Sequence, residues 1–102
     1  MNITLVWELP TTRASGKPLA VADIAHVAVE VSANGGADWA LIGTFGAEVT
    51  SVPVTDLDFG IWTFRGTVVD TKGRASAPLE TVFVVEDTTA PSALVSLTAV
   101  PA

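Results

Sequence analysis

Apolar and polar residues alternate with a period of two along most of this chain, and no stretch carries a helical period. The longest alternating run is Gly60 to Asp70. It places Trp62, Phe64, Gly66 and Val68 on one face and Thr63, Arg65 and Thr67 on the other. Asp56-Leu57-Asp58-Phe59 precedes it and Thr71-Lys72-Gly73-Arg74 follows. An alternating run between two turns predicts a strand crossing the middle of a sandwich.

Shorter runs of the same kind lie on either side. Ile3, Leu5 and Trp7 alternate with Thr4, Val6 and Glu8 until Pro10 stops a first strand. Thr11 to Asp23 contains Ser15-Gly16-Lys17-Pro18 and reads as a loop. Ile24 to Ser32 directs Val27, Val29 and Val31 one way and His26, Ala28 and Glu30 the other. Asn34-Gly35-Gly36 predicts a tight hairpin, because these residues tolerate positive φ. Trp39 to Phe45 returns, with Gly43 weakening it, and Val49 to Val54 follows Gly46. Pro53 assigns that strand to an edge or a bulge. After a loop at Thr71 to Pro78, Leu79 to Glu86 is apolar on both faces.

The remaining segment, Asp87 to Ala102, opens with Asp-Thr-Thr-Ala-Pro and becomes apolar again at Leu94, Val95, Leu97 and Val100. Six short strands spaced by turns predict an all-β antiparallel sandwich of immunoglobulin type over residues 1–86. The tail of residues 87–102 is expected to pack on its own domain or on a neighbour.

Composition sharpens this picture. Charged residues are only 16% of the 102, against roughly a quarter in ordinary soluble proteins, so much apolar surface must lie outside so small a core. Such surface marks interfaces. Without cysteine there is no disulfide or thiolate chemistry. A net charge of −6 with no basic stripe argues against nucleic acid, and no apolar run is long enough to span a membrane.

The order of features resembles a fibronectin type III domain. Trp7-Glu8-Leu9-Pro10 is similar to the Trp-x-x-Pro that ends the family's second strand, and Val27-Ala28-Val29 to the core of its third. Leu57, Gly60 and Trp62 have the spacing that leads into its sixth strand, where the family usually has Tyr in place of Trp62. The resemblance implies that the Tyr corner hydrogen bond is replaced through the indole N–H. The family's first strand has no counterpart before Ile3. Its pattern appears instead at the other end, as Pro91 followed by Leu97-Thr98-Ala99. The tail is therefore expected to complete its own sandwich, to complete a neighbour's by strand addition, or merely to lie on a partner.

Candidate chemistry is sparse. His26 has no Ser or Asp at a triad spacing and reads as a surface or interface residue. Asp56 and Asp58 supply two carboxylates where Ca²⁺ needs six or more oxygens, so no metal and no cofactor is expected. Ser32 to Trp39 resembles the Asp-box hairpin of sialidase-like propellers with Asn34 in place of Asp, which is a structural motif. Trp39 is a candidate for stacking on a sugar. Lys72-Gly73-Arg74 occupies a loop where some members of the family carry Arg-Gly-Asp, but the Asp is absent.

The resembled fold gathers Arg13, Lys17, Lys72 and Arg74 at one end and Asp38, Asp56 and Asp58 at the other. That distribution suggests docking on an acidic partner or head-to-tail stacking of copies. Ile61 and Val69 face outward and mark a second interface candidate on the central sheet. Together with Leu94, Val95, Leu97 and Val100 these residues point to a non-enzymatic chain with protein partners, as a homo-oligomer or bound to a lattice. Short cysteine-free modules of this family are most similar to bacteriophage accessory proteins. The expected setting is a virion, as capsid decoration (cement) or as a tail or fibre part. The alternative is a carbohydrate- or receptor-binding module of an extracellular or cell-surface protein.

Overall fold

The computed structural model describes all 102 residues. Six strands form: β1 (Ile3–Val6), β2 (Ile24–Ser32), β3 (Ala40–Phe45), β4 (Ser51–Val54), β5 (Gly60–Asp70) and β6 (Leu79–Val85). There is no α-helix, only a single 3₁₀ turn at Val21–Asp23 leading into β2. The strands make two antiparallel sheets, a ribbon β1–β4 and a four-stranded sheet in the order β3–β2–β5–β6. The fold class read from the alternation is thus an all-β arrangement of two sheets.

The period of two explains how the sheets meet. Phe64 on β5 is 2% exposed and packs with Leu57 and Val85. Ile3, Leu5 and Val54 of the ribbon close over this cluster, with Val31, Ile42, Trp62 and Phe83 around it. Val27 and Val29 are buried on the same face of the large sheet. A trans-sheet aromatic pair, Trp7 on Phe45 with ring centroids 5.5 Å apart, extends the core. The Trp7 indole N–H is buried there without an acceptor.

Local irregularities follow from composition. Register shifts between Val29 and Glu30 against β3, and between Ile24 and His26 against β5, mark bulges that bend β2. Gly43, opposite Val29, lies where a Cβ would stand 2.9 Å from the Phe45 ring, so a larger residue there would push that ring aside.

The two ribbon edges differ. Trp7 N–H donates to the Thr50 carbonyl at 2.9 Å, so the odd-numbered residues of β1 turn their backbone groups toward β4. Thr4 and Val6 therefore present theirs to the other side, where no strand pairs with β1. On β4, Val52 and Val54 face β1 and Pro53 faces outward, which blunts that edge by removing a donor. Pro53 is an edge residue, as its position in the sequence suggests.

The tail forms no strand. Beyond β6 the chain runs out from the sheets, with Leu97 88% exposed and Val95 wholly so. The molecule measures 81 Å along its long axis and 23 and 20 Å across. The 11 residues of β5 span only about 36 Å, so the tail supplies much of that length. Of the arrangements open from sequence, completion of its own sandwich is not the one this structure adopts.

Replacing Phe64 by Ala should cost about 3–5 kcal/mol, because it empties the centre of the inter-sheet contact. Replacing Phe59, which is 64% exposed, should cost within about 0.5 kcal/mol. Urea denaturation of the two variants checks this contrast. Equal losses would place the core elsewhere.

Candidate functional site

A groove of about 430 Å³ lies between the sheets, beside the unpaired edge of β1. Leu5, Trp7 and Leu9 form one wall. Val27 and Val29 of β2 and Phe64, Gly66 and Val68 of β5 form its floor, and Leu79 and Thr81 of β6 its far side. A ribbon of two strands cannot cover a sheet of four, so the inward faces of β5 and β6 continue past it. Gly66 deepens the groove, since a Cβ built there meets nothing within 4 Å. Leu79 remains 82% exposed on the rim. The lining offers no nucleophile–base pair, and its chemistry is suited to taking up apolar side chains.

Beyond the Leu9 end of the groove lies a cluster built on Asp70, 7% exposed at the end of β5. Its Oδ2 accepts from Arg74 Nε at 2.7 Å and from Arg13 Nη1 at 3.1 Å. Its Oδ1 accepts from the backbone N–H groups of Arg74 and Lys72 at 2.9 and 3.0 Å. The Arg74 backbone N–H, joined by the two guanidinium groups and the Lys72 N–H, holds this carboxyl well below the usual carboxylate range despite the opposing effect of burial. Arg13, Lys17, Lys72 and Arg74 do converge here, for Arg13 N–H also donates to the Lys17 carbonyl at 2.7 Å. Two of the four guanidinium or ammonium groups are nevertheless tied to Asp70 from within. Lys17 and Lys72 make no ion pair and carry the cationic charge of this end.

At the other end the Ser32–Trp39 hairpin is held by its own side chains. Ser32 Oγ donates to Asn34 Oδ1 at 2.8 Å and accepts from Gly36 N–H at 2.9 Å. Asn34 Oδ1 also accepts from Asp38 N–H at 2.9 Å, so Asn does the work of the Asp in the resembled motif. Gly35 and Gly36 take φ of 71° and 95°. Trp39 lies under the Arg65 guanidinium, 4.0 Å from the ring centroid, and Arg65 Nε donates to Glu30 at 2.9 Å. One face of Trp39 is thereby occupied, and a shallow hollow beside it is shared with Trp62, Asn34 and Asp38. Trp62 Nε1 donates to the Asp58 carbonyl at 3.0 Å, the indole bond anticipated for this corner.

The other residues singled out in the sequence are dispersed. Ile61 is 60% exposed and pairs across the strands with Val84, beside the exposed Val82, which makes a small apolar patch on the outer face. Val69 is half-buried and lies at the far end of β5, opposite His26. Asp56 and Asp58 flank the buried Leu57, and Asp56 has φ of 60° with its N–H donating to Asn2. No three His, Cys, Asp or Glu side chains gather to hold an ion.

Sequence reasoning missed the role of Asp70. The signal available was an acidic residue closing an apolar strand just before a basic Gly turn, Asp70-Thr71-Lys72-Gly73-Arg74, a pattern suited to capping by backbone N–H groups. No family model, curated protein or solved structure matches this chain.

The Asp70 cluster predicts a pH dependence. The unfolded chain takes up this proton near pH 3.9, whereas the folded one resists it to lower pH. The contribution is therefore fully present above about pH 4 and declines as pH falls below it. Asp70→Asn should lower the melting temperature at neutral pH, and its gap from the unchanged protein should narrow toward pH 2. Thermal melts between pH 2 and 7 check this; parallel profiles would show that Asp70 does not titrate with folding.

Proposed function

We propose that this chain is a fibronectin type III-like sandwich that serves as a non-catalytic structural subunit of a larger assembly. The setting that fits best is a bacteriophage virion, as a capsid decoration (cement) protein or, second, as a tail or fibre component. The observation that carries the assembly reading is the distribution of apolar surface. Six hydrophobic residues are buried, while Leu79, Ile61, Val82, Val84, Leu94, Val95, Leu97 and Val100 are all half or more exposed. Surface of that kind in a chain so poor in charge serves to be covered by protein. The two-plus-four division of strands and the indole bond at Trp62 fit the resembled family with its first strand missing. The virion itself is inferred from that resemblance alone.

A second reading has one observation in its favour. Trp39 and Trp62 share a hollow with the polar Asn34 and Asp38, an arrangement that suits a sugar ring. Against it, Arg65 already stacks on Trp39.

Sedimentation equilibrium of the full chain, with a glycan panel tested on the chain and on Trp39→Ala, separates the two. The assembly reading expects a mass that rises with concentration above 10.5 kDa, and no Trp39-dependent glycan binding. A chain that stays monomeric and binds a glycan only with Trp39 present would establish the recognition module instead.

A further inference from the structure

We propose that Val95 to Ala99 of one copy enters the groove of a second copy and adds an antiparallel strand to the open edge of its β1. This deepens the assembly reading, but it rests on the groove and the tail and not on the virion placement.

Several features of the segment match the groove. Val95, Leu97 and Ala99 alternate with Ser96 and Thr98, so an extended tail offers one apolar face and one polar face. Pro91 and Pro101 bound it, and no proline interrupts the donors between them. The groove follows the chain from Leu5 and Val6 of β1 on to Trp7, Glu8 and Leu9 beyond its end. With the apolar face inward, the three side chains lie over Gly66, Phe64 and the exposed Leu79. The backbone groups of the segment meet those of Thr4 and Val6, the free pair of ribbon donors and acceptors. The opposite ribbon edge is closed to such pairing by Pro53.

The direction of the chain favours a neighbour. β6 begins at Leu79 by the groove and ends at Val85, in the core cluster beside Ile3, so the tail departs from the end of β1 farthest from Leu9. To lie antiparallel to its own β1 it would climb from the level of Ile3 to that of Leu9, about 20 Å, before reversing. Residues 86–94 supply nine residues for that climb and for two reversals, with Pro91 among them. A second copy imposes no such path. An antiparallel insertion also brings the donor's Glu86 and Asp87 toward the recipient's Lys17 and Lys72, pairing opposite charges. The contact joins two different surfaces, so copies associate head to tail, closing into a ring or extending as a filament.

A mixing experiment on full chains tests this. Leu97→Asp spoils the donor segment and leaves the groove open. Gly66→Leu fills the groove and leaves the tail intact. Each variant alone should be monomeric by light scattering, and the equimolar mixture should form a 1:1 dimer of twice the 10.5 kDa chain mass. A synthetic peptide of residues 86–102, which keeps Glu86 and Asp87, should bind the Leu97→Asp chain and should bind it more weakly at high salt, which keeps the test decisive if Gly66→Leu misfolds.

Association unchanged in Leu97→Asp would leave the assembly reading standing and overturn this one. So would variants that fold but do not combine, or a peptide that does not bind. A monomeric parent chain whose melting temperature falls on Leu97→Asp would overturn it in favour of a tail packed on its own domain.

Discussion

The fold depends on the contact that Phe64, Leu57 and Val85 make with Ile3, Leu5 and Val54, where a two-stranded ribbon closes over part of a four-stranded sheet. Neither sheet has another apolar partner within the chain. A two-stranded ribbon is marginal in water without a face to pack against, so β1 and β4 persist because of this contact. The same contact explains what remains open. Where the ribbon ends, the inward residues of β5 and β6 extend into a groove lined by Trp7, Gly66 and Leu79. The structural core and the groove are thus one apolar layer, covered at one end and bare at the other.

Charge organises the two ends of that layer. At the groove end Asp70 is surrounded by two guanidinium groups and two backbone N–H groups, which ties the Arg13 loop to the β5–β6 loop. The inward carboxylate fixes the loops and leaves Lys17 and Lys72 without an ion pair. At the opposite end Asp38 and Asp56 donate their backbone N–H groups to the side chains of Asn34 and Asn2, and the Asp58 carbonyl accepts from Trp62. The two ends of the sheets therefore differ in charge, which favours contacts between unlike ends.

Most of the architecture was legible in the sequence because its physical cause is local. The period of two located all six strands, with β2 and β5 bounded as read and the others within two residues. Pro53 at an edge, the hairpin at Asn34-Gly35-Gly36 and the indole bond of Trp62 were also legible, since each follows from a residue's own geometry or donor. What escaped depends on residues distant in sequence. Arg13 and Asp70 are 57 positions apart and meet only through the fold. Trp39 read as a packing residue first and a candidate for sugar stacking second, but its particular partner, Arg65 of another strand lying over one ring face, was not legible. The groove could not be read at all, because it exists by virtue of which strands fail to face one another.

The most direct test of the account is amide hydrogen exchange along β1 in the full-length chain at concentrations where it associates. Ile3 and Leu5, bonded toward β4, should be protected in any case. The account predicts that Thr4 and Val6 are protected as well, and that dilution to monomers releases them. Thr4 and Val6 amides that exchange as freely in the assembled state as loop amides do would contradict it, since the open edge of β1 would then remain unpaired.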